Sequence, residues 1–221
     1  TTIAKDYSKT IALLNTAYVR FYLKHIPSNT IELLDVGCGS GDMLLALSRK
    51  LKGISFYGID PIQTFVDLAK EKLPDSTILK ASVEKLPFED CSFGFILSHV
   101  VFQHVDRQKA LLEIKRVLKP HGRIVLTEVL VKHDTGSVFD RLTYFIAQML
   151  NNVALLLKHG PITYSEMHQY TKSADWQGLT AIHRARRFTY SELVSFYNQH
   201  LPHCKIIRLS PQLVSVVWDN V

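Results

Sequence analysis

The run Asp35-Val36-Gly37-Cys38-Gly39-Ser40-Gly41 constrains this chain more than any other stretch. Ahead of it, Ile31-Glu32-Leu33-Leu34-Asp35-Val36 is a short apolar segment of strand type. Behind it, Met43, Leu44, Leu47 and Leu51 recur at helical spacing, which predicts a helix from Gly41 to Leu51. A glycine-rich loop between a buried strand and a helix lets backbone pass directly beneath a ligand, since a Cβ would block the approach and forbid some dihedrals. An ordinary strand-to-helix turn is the plainer alternative.

The alternation continues along the chain. Strands are predicted over Ile54–Ile59, Thr77–Lys80, Phe93–Ser98 and Gly122–Val131, and helices over Ile62–Leu73 and Asp106–Leu118. Pro74 and Pro120 stand just past the two helices. An amphipathic pattern from Ile3 to Ile26, closed by Pro27, predicts an N-terminal helix. Strand and helix alternating at this pace imply a doubly wound, mostly parallel sheet with right-handed crossovers. Ligands of such sheets sit at the carboxyl ends of the strands, near the point where strand order reverses.

After Val131 the rhythm breaks. Helical patterns run Val138–Lys158 and Tyr164–Thr171, with no convincing strand. It returns with a helix over Tyr190–His200 and strands over Cys204–Leu209 and Leu213–Trp218, joined near Pro211 and expected to pair antiparallel. The fold class read from this is α/β: a Rossmann-like, seven-stranded, mostly parallel sheet with an antiparallel C-terminal strand. Residues 1–221 are read as one domain. It comprises an N-terminal helical cap (1–29), a core (30–131), a helical insertion or lid (132–188) and a C-terminal helix with a strand pair (189–221).

Composition narrows the classes. With 47% hydrophobic residues, 221 residues supply one sizeable core, and the absence of long single-sign runs argues against disorder. No apolar stretch is long enough to span a bilayer, and no basic-then-apolar leader opens at Thr1. Three cysteines, Cys38, Cys91 and Cys204, share no metal-ligand spacing. A cytoplasmic, reduced setting without a metal is therefore expected. The net charge of +6 is spread over both halves of the chain, which most simply reads as a solvated surface; as a partner, an acidic small molecule fits better than nucleic acid does.

Asp60 closes the second predicted strand, followed by Pro61. A carboxylate there can accept both hydroxyls of a ribose, as it does in dinucleotide and adenosyl sites. It can also merely cap the helix that follows. The loop spacing is G-x-G-x-G, and Asp42 stands where a dinucleotide fingerprint carries its third glycine. That disfavours a nicotinamide and favours S-adenosylmethionine, with S-adenosylhomocysteine as its product.

Several motifs in order then resemble one family. Leu34 to Gly41 and Gly58-Ile59-Asp60-Pro61 are similar to the first two signatures of class I S-adenosylmethionine-dependent methyltransferases. Ala81 to Phe93, with Leu86-Pro87-Phe88 at its centre, and Leu118-Lys119-Pro120-His121-Gly122-Arg123 resemble segments of the ubiquinone/menaquinone-biosynthesis-like (methyltransferase type 11) small-molecule group. The resemblance implies that Asp35, Gly37 and Gly39 line the methionine end of the cofactor, that Asp60 holds the ribose and that Ile62 flanks the adenine. Ser82 and Val83 would lie at the adenine edge and Ser98 beneath the methionine, with Gly41 and Pro61 completing the set. Ser82 stands where the family usually has an Asp; an uncharged hydroxyl there accepts a weaker bond.

For catalysis, His99 and His104 follow the fourth strand, where family substrates meet the methyl group. Each can equally be a packed histidine at a helix end. Tyr144, Tyr164 and Trp176 could wall an acceptor pocket, or simply be core, and Arg186 in the basic cluster 183–187 could bind an acidic acceptor or stay solvated. Thr189 and Glu192 have the spacing of a helix capping box. The leading expectation is methyl transfer to a small molecule at an O, N or C atom. A noncatalytic S-adenosylmethionine-binding scaffold is the second. A protein or RNA methyltransferase is third, because no Asn-Pro-Pro-Tyr-type motif and no strongly basic appended domain is present.

Overall fold

A computed structural model describes residues 18–130, 187–210 and 212–221. Residues 18–25 are helical (α1), and the rest of the predicted N-terminal helix lies outside the described residues. In chain order there follow β1 (Glu32–Val36), α2 (Asp42–Ser48), β2 (Ser55–Asp60), α3 (Gln63–Lys72), β3 (Thr77–Lys80) and β4 (Phe93–His99). A 3-10 turn (Phe102–His104) leads to α4 (Arg107–Val117) and β5 (Leu118–Val129). The described elements end with α5 (Tyr190–His200), β6 (Lys205–Ser210) and β7 (Leu213–Asp219).

The seven strands form one sheet in the order β3-β2-β1-β4-β5-β7-β6. Pairing is parallel from β3 through to β5, while β7 runs antiparallel to both β5 and β6. The strand order reverses between β1 and β4, so the crevice expected of an open α/β sheet opens at the ends of those two strands.

Continuous apolar strands are what a sheet covered on both faces requires. Leu33, Phe95, Leu97, Val125 and Val217 turn to one face, against Tyr22 of α1, Leu44 and Leu47 of α2, and Val66 and Ala69 of α3. Leu34, Ile96, Ile124, Leu126 and Val216 turn to the other, against Leu111 and Ile114 of α4 and Leu193 and Tyr197 of α5. Neighbouring residues of one strand thus feed two separate cores, as a period of two dictates.

One boundary differs from the sequence expectation. The fifth strand begins at Leu118, not Gly122, because Leu118 already pairs with Phe93. The register then skips to Phe95 opposite Arg123. The Lys119–Gly122 excursion between them is held by an Asn220 N–H donating to the Gly122 carbonyl and a His121 N–H donating to that of Asn220. A Pro-His-Gly stretch reads as a turn, and the strand pairing on both sides of it overrides that local signal. The predicted capping box is present: the Glu192 N–H donates to the Thr189 hydroxyl, and the Thr189 N–H donates to the Glu192 carboxylate.

Candidate active site

The glycine loop leaves β1 through Gly37, whose φ of 75° belongs to the left-handed region. A Cβ there would lie 2.3 Å from Cγ2 of Val101, so both dihedral and space demand glycine. Gly41 starts α2 at φ 78°, packed against Ala69 of α3 and Leu73, which caps that helix. Gly39 is different. A Cβ there would meet nothing within 4 Å, so the loop's middle glycine faces open space on the strand-end side.

Asp60, at the end of β2, ties this loop down. Its Oδ2 accepts the Gly39 N–H at 3.0 Å and its Oδ1 accepts the Ile62 N–H at 2.9 Å. Gly37 and Cys38 N–H groups both donate to the Ile59 carbonyl. Each Asp60 oxygen keeps a lone pair, so the carboxylate can hold the loop and a diol together. Burial raises its pKa, and the two N–H donors work against that rise. Asp42 is committed elsewhere: it accepts from the Ser40 hydroxyl at 2.6 Å and pairs with Lys72 at 2.7 Å. A dinucleotide-type third glycine at that position would forfeit both bonds.

Asp35 lies next to the last residue of β1. It is 2% exposed, and no hydrogen-bond donor among the described residues reaches its carboxylate. Desolvation, with the nearby Asp60 charge adding to it, pushes its pKa up to about 8. A buried carboxyl without a donor is costly unless a cation arrives to pair with it. The positively charged methionine end of S-adenosylmethionine is such a cation. The residues present therefore fit that cofactor: a ribose-type acid, an open glycine bound to it, and a second, buried carboxyl within reach of its charge.

The other predicted cofactor residues divide. Ser98 is buried at the end of β4, and its hydroxyl donates to the Val36 carbonyl at 3.0 Å, fastening the two strand ends that frame the crevice. Ile62 is 43% exposed beside Asp60, a free apolar surface for a flat ring, with Pro61 next to it. Ser82 is exposed, its hydroxyl accepting from the Glu84 N–H. Val83 turns its side chain into the core, which leaves only its backbone for a ligand.

The two histidines separate as well. His104 is exposed on the 3-10 turn, with its Nε2 3.1 Å from the Gln103 amide nitrogen. His99 is half-buried at the end of β4, under Tyr18 and Tyr22 of α1. Burial drops its pKa to about 4, so it is a neutral imidazole near neutral pH. Tyr22 was read from sequence only as a position in a helix, yet its hydroxyl lies 3.1 Å from Nδ1 of His99. An apolar-looking tyrosine in helical register carries no signal of that pairing across 77 positions. Tyr144, Tyr164, Trp176 and Arg186 lie outside the described residues.

Comparison with known proteins fits this geometry. Residues 34–126 match the family model described as a methyltransferase domain. That segment, about two-fifths of the chain, is similar to this methyltransferase-domain family.

Relatives similar to part of the chain carry names from quinone biosynthesis. The ubiquinone/menaquinone biosynthesis C-methyltransferase of Campylobacter jejuni is 29% identical over 140 residues, 61% of this chain and 60% of the relative. The demethylmenaquinone methyltransferase of Thermotoga maritima is 33% identical over 115 residues, half of each chain. The chain thus spans at most about 60% of the length of these two relatives. The fold is shared with geranyl diphosphate C-methyltransferase of Streptomyces coelicolor at a TM-score of 0.65 and 15% identity, covering 93% of this chain and 77% of that one.

Proposed function

We propose that this chain is an S-adenosylmethionine-dependent methyltransferase acting on a small molecule. The observation that carries the reading is the pair of acids at adjacent strand ends: Asp60 bound to the open Gly39, and Asp35 buried with no donor among the described residues. The donor supplies an electrophilic methyl carbon on a sulfonium. The chain's own part is to hold the ribose through Asp60, to pair the cationic end through Asp35, and to keep water from the crevice with the apolar residues around Ser98. Methyl transfer is an in-line displacement, so positioning and desolvation account for most of what a protein must contribute.

The quinone substrates named for the two curated relatives favour an aromatic acceptor bearing hydroxyls. The acceptor lies, on this reading, between the end of β4 and the segment 132–188, with Tyr144, Tyr164, Trp176 and Arg186 as its proposed wall. A one-domain organisation and a cytoplasmic setting belong to the same proposal; among the described residues no helix is long and apolar enough to cross a membrane.

The test is turnover: the purified chain with S-adenosylmethionine and a panel of phenols, quinols, amines and small acids, with S-adenosylhomocysteine as the measured product. Formation above the acceptor-free rate on a member of the panel is the expected result. Tight cofactor binding with no product on any of them would favour the scaffold reading instead.

A further inference from the structure

Behind His99 runs a buried chain of hydroxyls that has no place in cofactor binding. Tyr22 Oη lies 2.8 Å from Thr127 Oγ1, 3.1 Å from His99 Nδ1 and 3.3 Å from the Ser98 carbonyl. Thr127 Oγ1 lies 3.1 Å from Ser215 Oγ, which in turn is 3.2 Å from the Leu126 carbonyl. Tyr22, Thr127 and Ser215 are all buried, so water does not complete these contacts.

Proton counting then sets the histidine. Five polar contacts share three hydroxyl protons, from Tyr22, Thr127 and Ser215. With a proton on Nδ1 of His99, four of the five are hydrogen bonds. With a lone pair there, three are, and two contacts set lone pair against lone pair in a low-dielectric interior. The network thus selects the tautomer with the proton on Nδ1, against the general preference of free imidazole for the other nitrogen. That choice leaves Nε2 as an acceptor, and it has no partner among the described residues.

The location gives that acceptor a use. His99 directly follows Ser98, whose hydroxyl binds the end of β1 where the glycine loop begins. Val100, next along, takes φ 61°, a conformation that a β-branched residue adopts only when its surroundings impose it. The Val100 N–H donates to the Thr127 carbonyl, so the hydroxyl-bearing strand β5 fixes the histidine's backbone as well as its ring.

We propose that Tyr22 is a positioning residue that holds His99 in the Nδ1–H tautomer, so that its Nε2 is a neutral hydrogen-bond acceptor for an O–H or N–H group of the methyl acceptor. The ligand part rests on the methyltransferase reading; the tautomer is a property of the free protein. Imidazole buried in this way stays uncharged, so Nε2 orients the donor group without taking its proton.

Long-range proton–nitrogen correlation spectra of the full chain with ¹⁵N-labelled histidine read the tautomer without cofactor or turnover. His99→Asn assigns the signal. The expected result is a protonated Nδ1 and a pyridine-like Nε2 in the free protein. Tyr22→Phe, which keeps the ring in its packing, should move His99 toward the Nε2–H form. A wild-type Nε2–H tautomer, or one unchanged by Tyr22→Phe in a protein of native melting behaviour, overturns the positioning role. With S-adenosylhomocysteine present, phenol should shift the Nε2 signal while its methyl ether anisole leaves it in place. No response to phenol up to its solubility limit overturns the acceptor role. Failure to bind S-adenosylhomocysteine would sink the methyltransferase reading and leave the tautomer result standing, so the two failures are distinguishable.

Discussion

Asp35 shows how much a single carboxyl can report. In the free protein burial holds its pKa at about 8, well above the ordinary carboxyl range. The folded chain therefore keeps a proton that the unfolded chain has released, and stability falls as pH rises from about 4 to about 8. A cationic ligand end reverses the preference and expels the proton, so affinity for S-adenosylhomocysteine should rise from about pH 6 to about pH 8 and then level. Calorimetry across that range checks it, with Asp35→Asn expected to flatten the profile; the same slope in both proteins would contradict it. The loop glycines make a paired prediction. Gly37→Ala drives a Cβ into Val101 at a left-handed φ and should cost about 2–4 kcal/mol of stability by denaturant melting. Gly39→Ala meets open space, so it should cost only about 1–2 kcal/mol for its φ and act mainly on cofactor affinity. At this scale the glycines and Asp60 were legible from spacing, and Asp35 from the resemblance of the Leu34–Gly41 run to a methyltransferase signature. The sequence did not carry Tyr22, Thr127 or Ser215, whose roles exist only once three distant segments meet.

Among the elements, β5, α4 and α5 are pinned together by one buried cluster. Arg107 donates to Glu128 through Nε at 3.2 Å and through a terminal nitrogen at 2.7 Å, and the Tyr197 hydroxyl donates to the other Glu128 oxygen. The guanidinium also stacks over Phe188 at 4.1 Å, just ahead of α5. Removing Glu128 takes the carboxylate partner from a buried guanidinium. Glu128→Ala should therefore destabilise the fold by about 3–5 kcal/mol, measured by urea unfolding. Thr189→Ala, which removes an exposed cap, should cost only about 1 kcal/mol in the same assay. Element identity was legible because the buried strands and amphipathic helices alternate cleanly. The start of β5 was not, since Pro120 and Gly122 are local turn signals and the pairing with Phe93 is not local.

For the molecule as a whole, the order β3-β2-β1-β4-β5-β7-β6 puts the described candidate cofactor residues at or just beyond the carboxyl ends of β1 to β4. Parallel strands with right-handed crossovers leave few other arrangements, which is why the fold class could be read before any coordinates. The acceptor side was harder to read for a physical reason: it depends on which side chains of separate segments converge, and aromatic residues such as Tyr144 or Trp176 look alike in sequence whether they line a pocket or fill a core. The central claim, that these strand ends hold an adenosyl methyl donor through Asp60 and the open Gly39, is met most directly by one titration. S-adenosylhomocysteine should bind the wild-type chain, and Asp60→Ala, if still folded, should bind it about 1.5–3 kcal/mol more weakly, the scale of lost charge-assisted hydrogen bonds. Equal affinity in the two proteins, or no binding of S-adenosylhomocysteine alongside tight binding of a nicotinamide dinucleotide, would contradict it.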